Sequence, residues 1–310
     1  MIKLSNVTKK YGNFVAVDSI SMDIKQGELM VILGPSGCGK STTLRLINKM
    51  VTISEGDILV RGKNIVDIDD VELRKSIGYV IQSIGLFPHM SVGKNIATVP
   101  TLLNWEKEAI RKRIDQMLEL VGLSPEKYKE KKPAQLSGGE AQRIGVARAL
   151  AADPDILLMD EPFGAVDPIN RLRLQREFRQ IQQNLNKTVL FVTHDVEEAL
   201  LIADRICIMN HGKIIQIGTP EEISINPKNE FVKEFFKGEG ILSLLSRKKA
   251  IDYVIPRISN ESKSANDFNL KEVITLLLTG EADELIFKEG HLTLNEISRA
   301  LRGEINEFKE

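Results

Sequence analysis

Gly34, Pro35, Ser36, Gly37, Cys38, Gly39, Lys40 and Ser41 constrain this chain more than any other stretch, because they join a strand-like run at 28–33 to a helix-compatible segment at 42–48. The pattern G-x-x-x-x-G-K-[ST] carries meaning only between a strand and a helix, and here both flanks are present. Its glycines allow torsions that turn successive N–H groups inward, and the helix start adds partial positive charge, so the loop is suited to cradle phosphate. Lys40 then neutralises β- and γ-phosphate oxygens, Ser41 offers a hydroxyl to Mg²⁺, and Thr42 completes the loop. A tight strand-to-helix turn with no ligand is the plain alternative, and the added Lys-Ser pair argues against it. Cys38 reads as a small residue that fits the loop, close enough to a nucleotide that alkylating its thiol should block ATP binding.

Runs at 156–159 and 188–192 are continuously apolar rather than alternating, as parallel strands covered on both faces require. The first ends in Asp160 and Glu161, at the carboxyl edge where open α/β sheets bind ligands. Asp160 is expected to hold Mg²⁺ through water and Glu161 to polarise the water that attacks a γ-phosphate. Acidic strand ends are common alone but not beside a phosphate loop. Short β-rich runs occur at 2–7 and 17–24, helices at 106–121 and 196–203, a glycine-led helix from 137, and a strand pair across 205–216 turning at His211 and Gly212. This organisation predicts a first domain at 1–236 with a helical subdomain at about 86–150. A turn-prone stretch at 237–240 then opens a second region, 237–310.

With 42% hydrophobic and 27% charged residues among 310, the chain can bury a sizeable core, which excludes a disordered or collagen-like protein. A net charge of -1 offers no positive field for a polyanion, so nucleic acid is not an expected partner. The two cysteines, Cys38 and Cys207, are too few for a disulfide framework and suit a reducing compartment. No apolar run approaches the roughly 20 residues that cross a bilayer, and residues 1–5 form no apolar signal stretch. Any membrane path is therefore expected in another polypeptide.

Leu136, Ser137, Gly138, Gly139, Glu140, Ala141, Gln142 and Arg143 lead a helix. The run resembles the ABC-transporter signature LSGGQ, with Glu140 where glutamine is commonest. Ser137 and its glycines expose a helix start able to bind phosphate, although the chain already has one phosphate loop. Two anion sites per chain make sense if two copies pair head to tail, each lending Ser137, Gly138, Gly139 and Glu140 to the ATP held by the other copy's loop.

Further positions resemble the same family. Tyr11, before Gly12, matches the aromatic that stacks on adenine. Gln82, after Tyr79, Val80 and Ile81, matches the glutamine that contacts Mg²⁺ and water. Gly164, Ala165, Val166 and Asp167 stand at the dimer-contacting D-loop, in place of the commoner S-A-L-D. His194, after Phe191, Val192 and Thr193, matches the switch histidine that contacts γ-phosphate. His89, His211 and His291 have no such context and read as structural or exposed. The resemblance, spanning 11–194, implies a P-loop NTPase of α/β class: an ABC ATPase with a RecA-like core and a helical subdomain. It implies ATP and Mg²⁺ as cofactors, with Ser41, Gln82 and Asp160 at the metal and Glu161, His194 and Gln82 as catalytic groups. It also implies a second copy of the chain, transmembrane permease subunits and an extracytoplasmic substrate-binding protein as partners, and a place at the cytoplasmic face of the membrane.

The stretch Ile84, Gly85, Leu86, Phe87, Pro88, His89, Met90, Ser91, Val92, with Asn95, Ile96, Ala97 and residues 99–105, resembles importers of quaternary-ammonium osmoprotectants: glycine betaine, carnitine and choline. In ABC importers this region receives a permease helix, so the similarity speaks of the partner first and the cargo second. The alternatives are an importer of another small solute such as an amino acid, or a soluble ABC ATPase acting on ribosomes or DNA. The latter usually carries paired cassettes or a coiled-coil insertion, and exporters commonly fuse the cassette to membrane helices. Osmoprotectant ATPases often append two CBS motifs, and 237–310 has room for one. Asn269 with Glu272, and Thr293 with Glu296, read as capping boxes flanking a strand at 284–287. This helix-strand-helix order resembles a single α+β CBS-like half-module, expected to pair with its counterpart in a second copy and to take a regulatory adenine nucleotide, to sense ionic strength, or only to dimerise.

Overall fold

The computed structural model describes residues 1–82, 85–164, 166–236, 255–256, 267–278, 284–287, 290–293 and 297. Ile84, Ala165, the stretch 237–240 and Glu296 lie outside the described residues. The chain divides into two compact units, Met1–Phe235 and Phe236–Glu310.

The first unit opens with an antiparallel hairpin of β1 (Ile2–Tyr11) and β2 (Phe14–Ile24). The hairpin runs past the expected strand at 2–7 because Lys9, Lys10 and Tyr11 pair with Val17, Val15 and Phe14, while Gly12 at φ 58 turns the chain. β3 (Leu29–Leu33) leads through the glycine loop into α1 (Lys40–Ile47). Next come β4 (Glu55–Val60), β5 (Lys63–Asn64), α2 (Asp70–Lys75) and β6 (Ile77–Val80). A helical segment follows: α3 (Val92–Leu102), α4 (Lys107–Leu120), α5 (Pro125–Tyr128) and α6 (Gly138–Leu150). The unit ends with β7 (Ile156–Asp160), α7 (Pro168–Leu185), β8 (Thr188–Thr193), α8 (Val196–Ile202), β9 (Arg205–Asn210), β10 (Lys213–Gly218), α9 (Pro220–Ile225) and α10 (Glu230–Phe235).

Two sheets result, ordered β2-β1-β4-β5 and β10-β9-β3-β8-β7-β6. In the larger sheet β9, β3, β8, β7 and β6 are mutually parallel, and β10 adds an antiparallel edge. Every residue of β3, β7 and β8 is buried, which is the physical reason these runs lack alternation. Ile2, Leu4, Val17 and Ile20 of the antiparallel sheet share one apolar cluster with Met30, Ile32, Leu158 and Leu190 of the larger sheet and with Leu44 and Ile47 of α1. Burying a Leu or Ile side chain contributes about 1.5–3 kcal/mol, so the frame that holds the glycine loop is firmly packed on both sides.

The helical segment is built on α6, against which α3 and α4 pack. α4 turns Ile114, Met117 and Leu118 inward, and its Arg113 donates to the carbonyls of Leu150 and Ala151, closing the end of α6. Fully buried Asn95 accepts from the Phe87 N–H and donates to the carbonyls of Phe87 and Ser91, which pins the loop ahead of α3.

In the second unit β11 (Ile255–Pro256), β13 (Gly290–Thr293) and β12 (Glu284–Ile286) form an antiparallel sheet in that order. α11 (Leu270–Leu278) contributes Leu270, Val273, Ile274 and Leu277 to an apolar cluster with Phe287, Leu292 and Ile297. Its capping box is formed reciprocally, Asn269 N–H to Glu272 Oε2 at 3.0 Å and Glu272 N–H to Asn269 Oδ1 at 3.1 Å. Of the second expected box, Thr293 is the last residue of β13, and Glu296 lies outside the described residues.

Candidate functional site

Because β3, β8, β7 and β6 are adjacent and parallel, whatever leaves their carboxyl ends emerges side by side, at the roughly 4.8 Å spacing of neighbouring strands. The register pairs Leu33 with Thr193, Val192 with Asp160, and Met159 with Val80. The glycine loop, His194, the Asp160-Glu161 pair and Gln82 therefore share one edge.

Within the loop Gly37 and Gly39 take φ 77 and 107. A Cβ on Gly39 would stand 2.5 Å from the Ala16 carbonyl oxygen, so β2 crosses the loop at a distance only glycine permits. Lys40 Nζ donates to the Gly34 and Pro35 carbonyls at 2.8 and 2.9 Å, which lays its ammonium across the loop. Ser41 Oγ donates to Asp160 Oδ1 at 2.8 Å, and half-buried Thr42 follows on the first turn of α1. Burial pushes the Asp160 carboxyl above its ordinary range, partly offset by that Ser41 bond. A hydroxyl beside a buried carboxylate is a hard-oxygen donor set that suits Mg²⁺.

Cys38, within the loop, is buried. Its side chain is 3% exposed, its Sγ lies behind Gly34 within the apolar cluster that holds Met209, and burial raises its thiol pKa. The thiol is therefore shielded from bulk solvent. Folded protein should resist iodoacetamide at Cys38 while denatured protein labels fully; rapid labelling of the folded chain, read by mass spectrometry, would contradict this.

Glu161 sits at φ 44, a left-handed conformation that costs a non-glycine residue about 1–3 kcal/mol. Its N–H donates to the Val192 carbonyl at 2.9 Å, fixing this turn at the end of β7. The outcome is convergence on one oxygen: Gln82 Nε2 donates to Glu161 Oε2 at 3.0 Å, and His194 Nδ1 lies 3.3 Å from the same atom. His194 is 58% exposed and the Glu161 side chain 17%, so the cluster opens to solvent on the histidine side.

Ser137 caps α6 and forms a reciprocal box with Glu140, at 2.8 Å from Ser137 N–H to Glu140 Oε2 and 3.3 Å from Glu140 N–H to Ser137 Oγ. The Tyr128 hydroxyl donates to Glu140 Oε1 at 2.6 Å, and this bond holds the Glu140 carboxyl below its ordinary range. Gly138 and Gly139 lead the helix, and a cavity of about 400 Å³ at this terminus is lined by Ser137, Gly139, Glu140, Arg143, Asp167 and Asn170 among others. Asp167 caps α7 through the Asn170 N–H at 3.1 Å. Signature and D-loop thus share a cavity, whose lining includes no residue of 34–41. Tyr11 is 49% exposed at the hairpin tip, with Lys9 Nζ 4.8 Å from its ring centre. His89 and His211 are exposed and His291 is half-buried.

Sequence reasoning did not single out Tyr128, Arg148, Glu198 or Gln175. Arg148 on α6 donates to the Gly85 carbonyl at 2.6 Å and lies 5.8 Å from the Phe87 ring, joining the signature helix to the loop after Gln82. Glu198, buried in α8, accepts from Gln175 Nε2 at 2.9 Å and from the Thr193 hydroxyl; burial raises its carboxyl to about 7. The one signal in the sequence was Asp195 three residues before Glu198, an N-cap spacing.

Residues 17–164 match the ABC transporter family model. The chain is 49% identical over 287 residues to the glycine betaine/carnitine/choline transport ATP-binding protein of Bacillus subtilis, covering 92% of this chain and 75% of that one. It is 44% identical to the glycine betaine uptake system ATP-binding protein of Escherichia coli, covering 90% of this chain and 91% of the relative. Among solved structures, a dimeric ATP-binding cassette in a post-hydrolysis state bound to ADP and Pi aligns at TM-score 0.64 and 35% identity, over 71% of this chain and 98% of the other.

Proposed function

The chain belongs to the ABC transporter family as an ATP-binding subunit, and from that membership we propose that it drives import of quaternary-ammonium osmoprotectants such as glycine betaine, carnitine or choline. As an ABC cassette it is an ATPase. The observation that carries the cargo is the identity to osmoprotectant ATP-binding proteins across about nine-tenths of the chain. The seating for the permease is a groove of about 420 Å³ beside Gln82, lined by Tyr79, Ile81, Gly85, Phe87, Thr98 and Arg148 among others. A permease helix entering there touches the loop whose glutamine reaches Glu161. Among the described residues no helix is long and apolar enough to cross a membrane, which fits a motor seated on transmembrane permease subunits at the cytoplasmic face and fed by an extracytoplasmic substrate-binding protein.

Exposed Tyr11 stacks on the adenine. The N–H groups of 34–41 receive the phosphates, and Lys40 exchanges two loop carbonyls for phosphate oxygens. Ser41 and Asp160, with Gln82 nearby, would hold Mg²⁺, which would supply charge neutralisation at the phosphates. Glu161 accepts the proton of the attacking water, and Gln82, bonded to its carboxylate, and His194, beside the same oxygen, orient that water toward the γ-phosphate. A second copy closes the site from the far side. Its Ser137, Gly138, Gly139 and Glu140 present a capped helix terminus to the γ-phosphate, with Asp167 at the dimer face.

The test is ATPase activity reconstituted with the cognate permease and binding protein. Glycine betaine, carnitine or choline should stimulate turnover while sulfate and amino acids do not, and stimulation by a non-quaternary solute alone would overturn the cargo. We assign 237–310 to dimerisation as a CBS-like half-module, where a regulatory adenine nucleotide would bind. With Mg²⁺-ATP present, a chain ending at Phe236 should give less dimer at equal concentration; an unchanged yield by sedimentation would remove this role.

A further inference from the structure

The two residues that flank His194 are both fastened to α7. On its carboxyl side, Asp195 Oδ2 lies 3.6 Å from Arg171 Nη1, while Arg171 Nη2 donates to the Val166 carbonyl at 2.9 Å. On its amino side, the Thr193 hydroxyl donates to Glu198, accepts from the Asp195 N–H at 3.0 Å, and Glu198 in turn accepts from Gln175 at 2.9 Å. Gln175 and Glu198 are 3% and 5% exposed, so water does not compete for this bond. Asp167, Arg171 and Gln175 recur every fourth residue and lie along one stripe of the helix. That stripe runs from the D-loop to the underside of the histidine loop. His194 itself makes only its Glu161 contact among the ion pairs described, so its position is set by its neighbours.

We propose that Arg171, Gln175 and Glu198 form a tether within one chain that sets the position of His194 from the position of the D-loop. Displacing Asp167 at the dimer face shifts the first turns of α7, and the tether passes that shift to residues 193 and 195. Histidine alignment then depends on whether the second copy is seated. The three are positioning residues: none touches the nucleotide, and each acts through His194. The proposal rests on the reading of His194 and of the D-loop given above.

The experiment measures kcat and KM for Mg²⁺-ATP, and affinity for a nonhydrolysable ATP analogue, in the full chain carrying R171A, E198A, E198Q or H194A, and in the double variant H194A/E198A. R171A and E198A should each lower kcat about ten- to a hundredfold, since small misplacement of a reacting group has effects of that size, with KM and analogue affinity little changed. E198Q should recover most of the turnover, because its amide oxygen still accepts from Gln175. The double variant should be no slower than H194A alone, because the tether acts only through that residue. Turnover within about twofold of wild type in both R171A and E198A, or E198Q as slow as E198A, or additive losses in the double variant, would overturn the tether. If E198A does not fold, R171A and Q175L carry the same comparison, since Arg171 is partly exposed and leucine fills the Gln175 site. Normal turnover in H194A would remove the histidine's role itself, and the tether with it. A slow H194A beside fast tether variants would remove the tether alone.

Discussion

Glu161→Gln is expected to bind ATP as the wild-type chain does and to hydrolyse it about 10²–10⁴-fold more slowly, the range attributed to a positioned general base. The substitution preserves shape at the left-handed turn where the residue sits, and the amide oxygen still accepts from Gln82. What it removes is proton affinity, a property that matters only as water attacks the γ-phosphate. Loss should therefore appear in kcat and kcat/KM together, the mark of an interaction made in the transition state. Steady-state kinetics beside equilibrium binding of radiolabelled ATP check this, and normal hydrolysis would overturn the base assignment.

Lys40→Ala is expected to damage both steps. The ammonium donates to two loop carbonyls, and the side chain is 5% exposed, so the alanine variant loses a phosphate-neutralising charge and leaves those carbonyls without their donor. A hydrogen bond to a charged group contributes about 1.5–3 kcal/mol, so ATP affinity should fall about ten- to a hundredfold. Turnover at saturating ATP should fall further, because charge on the phosphates grows toward the transition state. Titration calorimetry and turnover separate the two; wild-type affinity in a folded K40A chain would contradict the role given to the loop.

Much of this architecture was legible in the residues, and what was legible follows from local physics. The glycine loop can be read directly because its backbone geometry requires glycine at Gly39, where β2 passes within touching distance. β3, β7 and β8 are readable because burial on both faces forces apolar runs. β4 was not, because half of it is exposed and only Ile58 and Val60 are buried. The meeting of Gln82 with Glu161, 79 residues apart, depends on strand order, which no local pattern states. The resemblance to a known family filled that gap for Gln82, Glu161 and His194. It said nothing of the Tyr128 brace on Glu140 or of the buried Glu198, since these are packing facts.

The composite site is the centre of the account, because the cavity at Ser137 is lined by no residue of 34–41, and the proposal brings Ser137 and Lys40 into one ATP site by pairing two copies. Analytical ultracentrifugation of Glu161→Gln with and without Mg²⁺-ATP tests this directly. The account predicts a monomer without nucleotide and, with it, a dimer holding one ATP per chain that Ser137→Arg abolishes. A species that stays monomeric at saturating ATP, or a dimer indifferent to Ser137→Arg, would contradict it.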